Sequence, residues 1–118
     1  MQNDTACVDP THCPVEVTLS AIGGKWKALI LYHAMQGPRR FNELRRLMPS
    51  VTQRMLTQHL RELEADGILD RDVRAQVPPH VEYSLTQKGR TLVPILDAMA
   101  TWGYANMKPG AVSTPAKE

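Results

Sequence analysis

The stretch "SVTQRMLTQHLRELEADGIL" (residues 50–69) decides the fold. Thr52 is an N-cap type of residue directly ahead of a helical period, and Gly67 stands where a helix ending at Asp66 needs a left-handed residue. Between them, at about 100° per residue, Leu56, Leu60 and Leu63 share one side of the wheel, with Met55 on its flank. Arg54, Thr57, Gln58 and Arg61 fall together on the opposite side. A helix that only shields a core more usually turns mixed acids and bases outward. Arginine pairs bidentately with guanine, glutamine with adenine, and threonine touches a thymine methyl or a phosphate. All four lie in the N-terminal two-thirds, the part a recognition helix offers to base edges. With Gln53 at the start of the helix, these are the candidate base contacts. The alternative is a solvated face of an amphipathic helix.

Upstream, "RRFNELRRLMP" (39–49) gives a short helix with Phe41, Leu44, Leu47 and Met48 as its apolar stripe, Glu43 in its first turn and Pro49 closing it. Only "MPSVT" separates it from the helix above. Further back, Val15, Leu19 and Ile22 recur at helical spacing until Gly23–Gly24 interrupt them. A second helix then carries Trp26, Leu29, Ile30 and His33 on one side and ends at "QGP". Downstream, "ILDRDVRA" and "VEYSL" alternate around a proline-containing loop, the pattern of an antiparallel hairpin. Thr86 caps a long final helix with Leu92, Ile95, Leu96, Met99 and Trp102 on one face, and Pro94 is expected to kink it.

Four helices, a hairpin and a helix make a mainly α fold with a small β-hairpin, in the order of a winged helix-turn-helix. Arg74 and His80 flank the hairpin loop, where they could straddle a phosphate backbone or enter a minor groove. The expected domain runs from 13 to 106, between a flexible segment (1–12) and a disordered tail (107–118).

At 118 residues the chain is long enough for one modest core. Its net charge of +2 hides an uneven distribution. From Arg39 to Arg61 there are six arginines and one acid, Glu43, whereas Glu62 to Asp72 holds five acids against Arg71. The basic block fits phosphates or an ordinary charged surface, with Arg39, Arg40, Arg45 and Arg46 as candidate backbone contacts beside the turn. No apolar run approaches the roughly 20 residues that span a bilayer. "MQNDTACVDPTH" lacks a basic stretch and an apolar core, so no secretory signal is expected and the protein reads as cytoplasmic, without a membrane partner. No phosphate-cradling glycine loop, H-E-x-x-H or G-x-S-x-G is present, and an enzyme is not expected. "IGGKW" has no strand before it, so its glycines read as the break between two helices and Trp26 as core.

"CPVEVTLSAIGGKWKALIL", "GPRRFNELRRLMPSVTQRMLTQHLRELEADGIL" and "VPPHVEYSLTQKGRTLVPILDAMATWG" resemble the HxlR-type regulators, winged-helix proteins related to the MarR group. The likeness runs from about Cys13 to Gly103. It implies a homodimeric transcription regulator on double-stranded DNA, and a repressor is expected rather than an activator. Its first and last helices would build the dimer, its fourth helix would enter the major groove, and the hairpin would serve as the wing. Two departures stand out. Thr52 and Gln53 replace the serine and proline common at the start of the fourth helix. His80 replaces the arginine common after the two wing prolines, exchanging a fixed charge for one that depends on pH.

Cys13 precedes Pro14, a favoured first helical residue, so it stands at an N-cap where backbone N–H groups and the helix dipole favour a thiolate. The resemblance implies that such a cysteine senses oxidants, quinones or aldehydes by adduct or disulfide formation. Cys7 is a candidate resolving partner without a family counterpart. The plainer reading makes Cys13 a small buried residue. Cys7, His12 and Cys13 fall short of a closed zinc site, so no metal or cofactor is expected. His33 and His59 lie on apolar faces and read as satisfied core residues. A winged-helix protein-interaction module without specific DNA binding is the competing function, since the fold also serves that role. Salt-dependent duplex binding separates the two.

Overall fold

A computed structural model describes residues 13–74 and 80–108. In chain order its elements are α1 (Pro14–Ile22), α2 (Gly24–Ala34), β1 (Arg39–Arg40), α3 (Phe41–Leu47), α4 (Gln53–Ala65), β2 (Leu69–Arg74), β3 (His80–Leu85), α5 (Gln87–Arg90) and α6 (Val93–Ala105). The ends of α4 form as their residue types predict. Thr52 Oγ1 accepts from the Met55 N–H at 3.1 Å, and loss of such a cap costs about 1 kcal/mol. At the other end Gly67 adopts φ 76°, with Ile68 N–H donating to Leu63 O and Gly67 N–H to Glu64 O. That paired closure needs a left-handed residue, which glycine takes without steric cost.

Leu56, Leu60 and Leu63 are at most 1% exposed. They join Ile30, Leu31 and Ala34 of α2, Leu44 of α3, and Ile68, Leu69 and Leu85 at the root of the strands in one apolar cluster. Val51, in the turn between α3 and α4, is driven into the same cluster, and its N–H donates to Met48 O. Burying each such side chain stabilises by about 1.5–3 kcal/mol, which fixes the polar face of α4 outward.

The strands pair as expected: Leu69 lies opposite Leu85, Arg71 opposite Tyr83 and Val73 opposite Val81. Only the root of this ribbon is buried, since Val73 is already 53% exposed. The sheet has a third strand that the alternation did not reveal. β1 pairs antiparallel with β3, Arg39 opposite Tyr83 and Arg40 opposite Glu82, giving the order β1-β3-β2. Two residues are too few to show a period, and Arg39–Arg40 read instead as the start of a helix.

The expected single, kinked final helix is two helices. Thr86 caps α5 through Oγ1, which accepts from Gly89 N–H at 2.9 Å. Pro94 then sits in the first turn of α6. It has no N–H to give Arg90 and its ring would press on that carbonyl, so the helix stops and restarts with proline where proline is tolerated. Gly89 is the close-approach residue of this corner: a Cβ there would lie 2.3 Å from Ile68 O.

Gly23, extended at ψ 166°, ends α1 and begins α2, as the sequence led one to expect. The apolar faces of the terminal helices are not buried within the chain. Val15 and Leu19 of α1 and Ile95, Met99 and Trp102 of α6 are exposed, as is Leu47 of the α3 stripe, while Leu96 and Ile22 are buried. Among the described residues no helix is long and apolar enough to cross a membrane. The N-terminal segment 1–12, the wing tip 75–79 and most of the tail lie outside the described residues.

Candidate nucleic-acid interface

The leucine side of α4 faces the core, so Gln53, Arg54, Gln58 and Arg61 are exposed and Thr57 half-exposed on the other side. Together with Glu62 they line one open, shallow concavity. No acid stands in the first turn of α4, so the positive end of the helix dipole and Arg54 add at the same place. Hydrogen-bonding edges of several kinds are therefore gathered on one continuous surface beside a positive helix terminus. That is what reading base edges requires.

The four arginines ahead of the turn divide into different roles. Arg39 is half-buried and turned into its own chain: Nε donates to His33 O at 3.0 Å and Nη2 to Gln36 Oε1 at 3.2 Å, at the C-terminal end of α2. Arg40 is exposed at the N-terminus of α3, where its backbone N–H donates to Glu43 Oε1 at 2.8 Å. Arg45 is half-buried and Arg46 exposed. Arg46 lines a second depression with Arg40, Asn42 and His80, between α3 and the root of the wing.

His80 does not stand alone at that root. Arg40 Nη2 lies 2.6 Å from His80 Nδ1, and His80 Nε2 lies 2.8 Å from Glu82 Oε2. A guanidinium only donates, so Nδ1 is the acceptor and Nε2 carries the proton given to Glu82. The Arg40 Nε to His80 Nε2 contact at 3.3 Å then sets two hydrogens against each other and is not a hydrogen bond. Arg74 pairs with His80 on the last rung between β2 and β3, which places both positions at the base of the wing loop.

Cys13 is the N-cap of α1, with Pro14 following and Val17 N–H donating to its carbonyl at 3.0 Å. The residue is buried, 8% exposed, so its N-cap placement is met while its access to reagents is narrow. Cys7 and His12 lie outside the described residues, and with them the pairing and metal readings of that segment. His33 is half-buried; burial first, and the Arg39 charge second, hold its pKa below the usual 6.5. His59 departs from the expectation of a satisfied core residue. Its Nδ1 is buried with no hydrogen-bond partner among the described residues, 3.8 Å from Glu62 Oε1.

Two participants were missed in the sequence. Glu62 borders the candidate reading face, and Lys27 of α2 reaches it with Nζ 2.8 Å from Glu62 Oε1. Glu62 lies four residues after Gln58, a spacing that signals a neighbour on the same helix face. Lys27 comes from another helix and carries no local signal.

The HxlR-like helix-turn-helix family matches residues 21–111. The chain is 64% identical over 94 residues to the HTH-type transcriptional regulator YybR of Bacillus subtilis, covering 80% of this chain and 75% of that protein. It superposes on the redox regulator HypR in its oxidised form with a TM-score of 0.79 at 62% identity, over 81% of this chain and 99% of that one. Diamide-treated YodB from B. subtilis gives a TM-score of 0.67 at 37% identity, over 82% and 97% of the two chains. By residues, by architecture and by relatives, this chain belongs to the HxlR-like helix-turn-helix family.

Proposed function

We propose that the protein is a homodimeric, sequence-specific DNA-binding transcription regulator, acting as a repressor. The observation that carries this reading is the outer face of α4, where Gln53, Arg54, Thr57, Gln58 and Arg61 share one open surface above a leucine anchor. α4 would lie in a major groove and read base edges with these side chains. Arg40, Arg45 and Arg46 would hold phosphates, and Arg74 with His80 would bring the wing to the adjoining backbone. Arg39, bound to the end of α2, supports the reading head rather than touching DNA.

The exposed apolar side chains of α1 and α6, Val15, Val17, Leu19, Met99 and Trp102 among them, favour dimerisation through these helices. A two-fold dimer requires half-sites about 34–36 Å apart, or a multiple of that, on a near-palindromic operator. Similarity to a redox regulator and to a diamide-treated one favours control through a thiol. Cys13, at the start of α1, is the residue assigned to it, with an oxidant, quinone or aldehyde as inducer and Cys7 as a resolving thiol. An adduct on a residue buried at that helix start would disturb the helix that builds the dimer.

The test is binding of the reduced protein to the DNA upstream of its own gene at two salt concentrations, repeated after diamide and after a quinone, with Cys13→Ser alongside. Specific, salt-sensitive binding, released by the reagents in the wild type only, is the expected result. Binding indifferent to both reagents would discard the sensor and keep the regulator. Salt-insensitive or absent duplex binding, there and in a genome-wide selection, would favour a protein-interaction module.

A further inference from the structure

One acid borders the concavity on α4, and a carboxylate facing a polyphosphate is unfavourable unless it has a partner and a purpose. Glu62 has two partners. Its Oε1 lies 2.8 Å from Lys27 Nζ, on a lysine side chain only 13% exposed between α2 and α4. Its Oε2 accepts from Gln58 Nε2 at 3.2 Å. The Lys27 ammonium, with Gln58 second, holds the Glu62 carboxyl below its usual range, so both oxygens remain acceptors. His59 adds no hydrogen bond, its Nδ1 standing 3.8 Å away.

An ionised carboxylate accepts and never donates, so a glutamine amide can approach it only through its NH2 group. Glu62 therefore selects one of the two orientations open to the Gln58 amide. One amide hydrogen goes to Glu62, which leaves the other hydrogen and Oε1 for a base. Adenine offers N7 as acceptor and N6–H2 as donor, the complement of that edge. Guanine offers two acceptors, N7 and O6, and O6 would face Oε1.

We infer that Glu62, anchored by Lys27, is a positioning residue that locks the amide of Gln58 and so makes it select adenine over guanine at one base pair. The inference rests on the proposed placement of α4 in a major groove. Lys27 also neutralises the carboxylate, so the lock adds no net negative charge to the face. With Glu62 removed, the Gln58 amide turns over freely, its NH2 group can donate to guanine, and the preference collapses.

The experiment is a selection from randomised duplexes with the full-length wild type, Gln58→Ala, Glu62→Gln and Glu62→Ala. Titrations follow on the selected operator and on its A-to-G variant at two salt concentrations. Glu62→Gln keeps shape and hydrogen bonding but can face Gln58 with either a donor or an acceptor. It decides the matter if Glu62→Ala does not fold. Gln58→Ala should identify the base pair concerned. A bidentate contact discriminates by roughly 5- to 150-fold, so each Glu62 variant should lose at least about fivefold of the adenine preference there. Preferences at the other base pairs should remain those of the wild type, which a general loosening of α4 would not allow. Wild-type preference at that pair in the Glu62 variants, no pair assignable to Gln58, or an equal loss at every pair would each overturn the inference and leave the DNA-reading assignment standing. A wild type that selects no sequence would refute that assignment, and the inference with it.

Discussion

Arg39 offers a decision between two roles that charge alone cannot separate. As a phosphate contact its contribution would be electrostatic, and one contact changes the slope of log K against log salt by about 0.9. As a brace its contribution lies in two directed bonds to the end of α2, one of them to the half-buried carbonyl of His33. A charged donor on a carbonyl contributes about 1.5–3 kcal/mol, and the exposed Gln36 bond adds little, so partial solvent access puts the expected loss near 1–2 kcal/mol. Arg39→Lys keeps the charge and loses the fork; Arg39→Met loses both. The brace predicts that both variants unfold at lower urea, measured at fixed protein concentration because dimerisation would move the midpoint. Both should bind operator with the wild-type salt slope. Removing the Arg39 charge in Arg39→Met should also let the His33 pKa rise part of the way towards its usual value, since burial, the larger cause, remains. The refuting result is Arg39→Lys indistinguishable from wild type in stability while Arg39→Met lowers the salt slope by about one contact.

Gly89→Ala should destabilise by about 1–3 kcal/mol despite the better helix propensity of alanine, because the added methyl meets a backbone carbonyl rather than a flexible side chain. Thermal melts would show it, and an unchanged midpoint would contradict the corner described above. Below pH 6.5 the unfolded chain protonates His33 before the folded one does. Stability should therefore fall as pH drops through 6.5, level off below the folded-state pKa, and be untouched above about pH 7.5. In His33→Gln this part of the pH dependence should vanish from denaturation curves. Trp102 is 70% exposed in the isolated chain, so Trp102→Glu should leave the fold of one subunit intact yet shift sedimentation from dimer to monomer. A dimer unaffected by that change would move the interface elsewhere.

Features written within one element were legible in the sequence. The caps of α4, its leucine and polar faces, the pairing of β2 with β3 and the break at Gly23 all follow from spacing and residue type. What was not legible depends on chain brought from a distance. β1 exists because β3 has an open edge beside it, not because Arg39–Arg40 favour a strand. Arg39 looked like one of four equivalent cations until α2 was placed next to it. The Lys27–Glu62 pair spans two helices, and only half of it was visible as an i, i+4 neighbour. Periodicity announced an apolar face on the final helix but not what covers it. Met99 and Trp102 on that face are exposed in the single chain, in keeping with the dimer role that the family resemblance implies for it.

The short strand β1 also ties two parts of the molecule into one block. Arg40 is at once a rung of the sheet, paired opposite Glu82, and the residue from which α3 starts. The wing and the α3–α4 pair are thereby welded, and neither can tilt without tearing a shared rung. The joints outside this block are Gly23, where α1 meets α2, and the two-residue step between α5 and α6. In the proposed dimer, a signal arriving at the terminal helices would swing each head as a rigid lever and alter the span between the two, leaving the shape of either one unchanged.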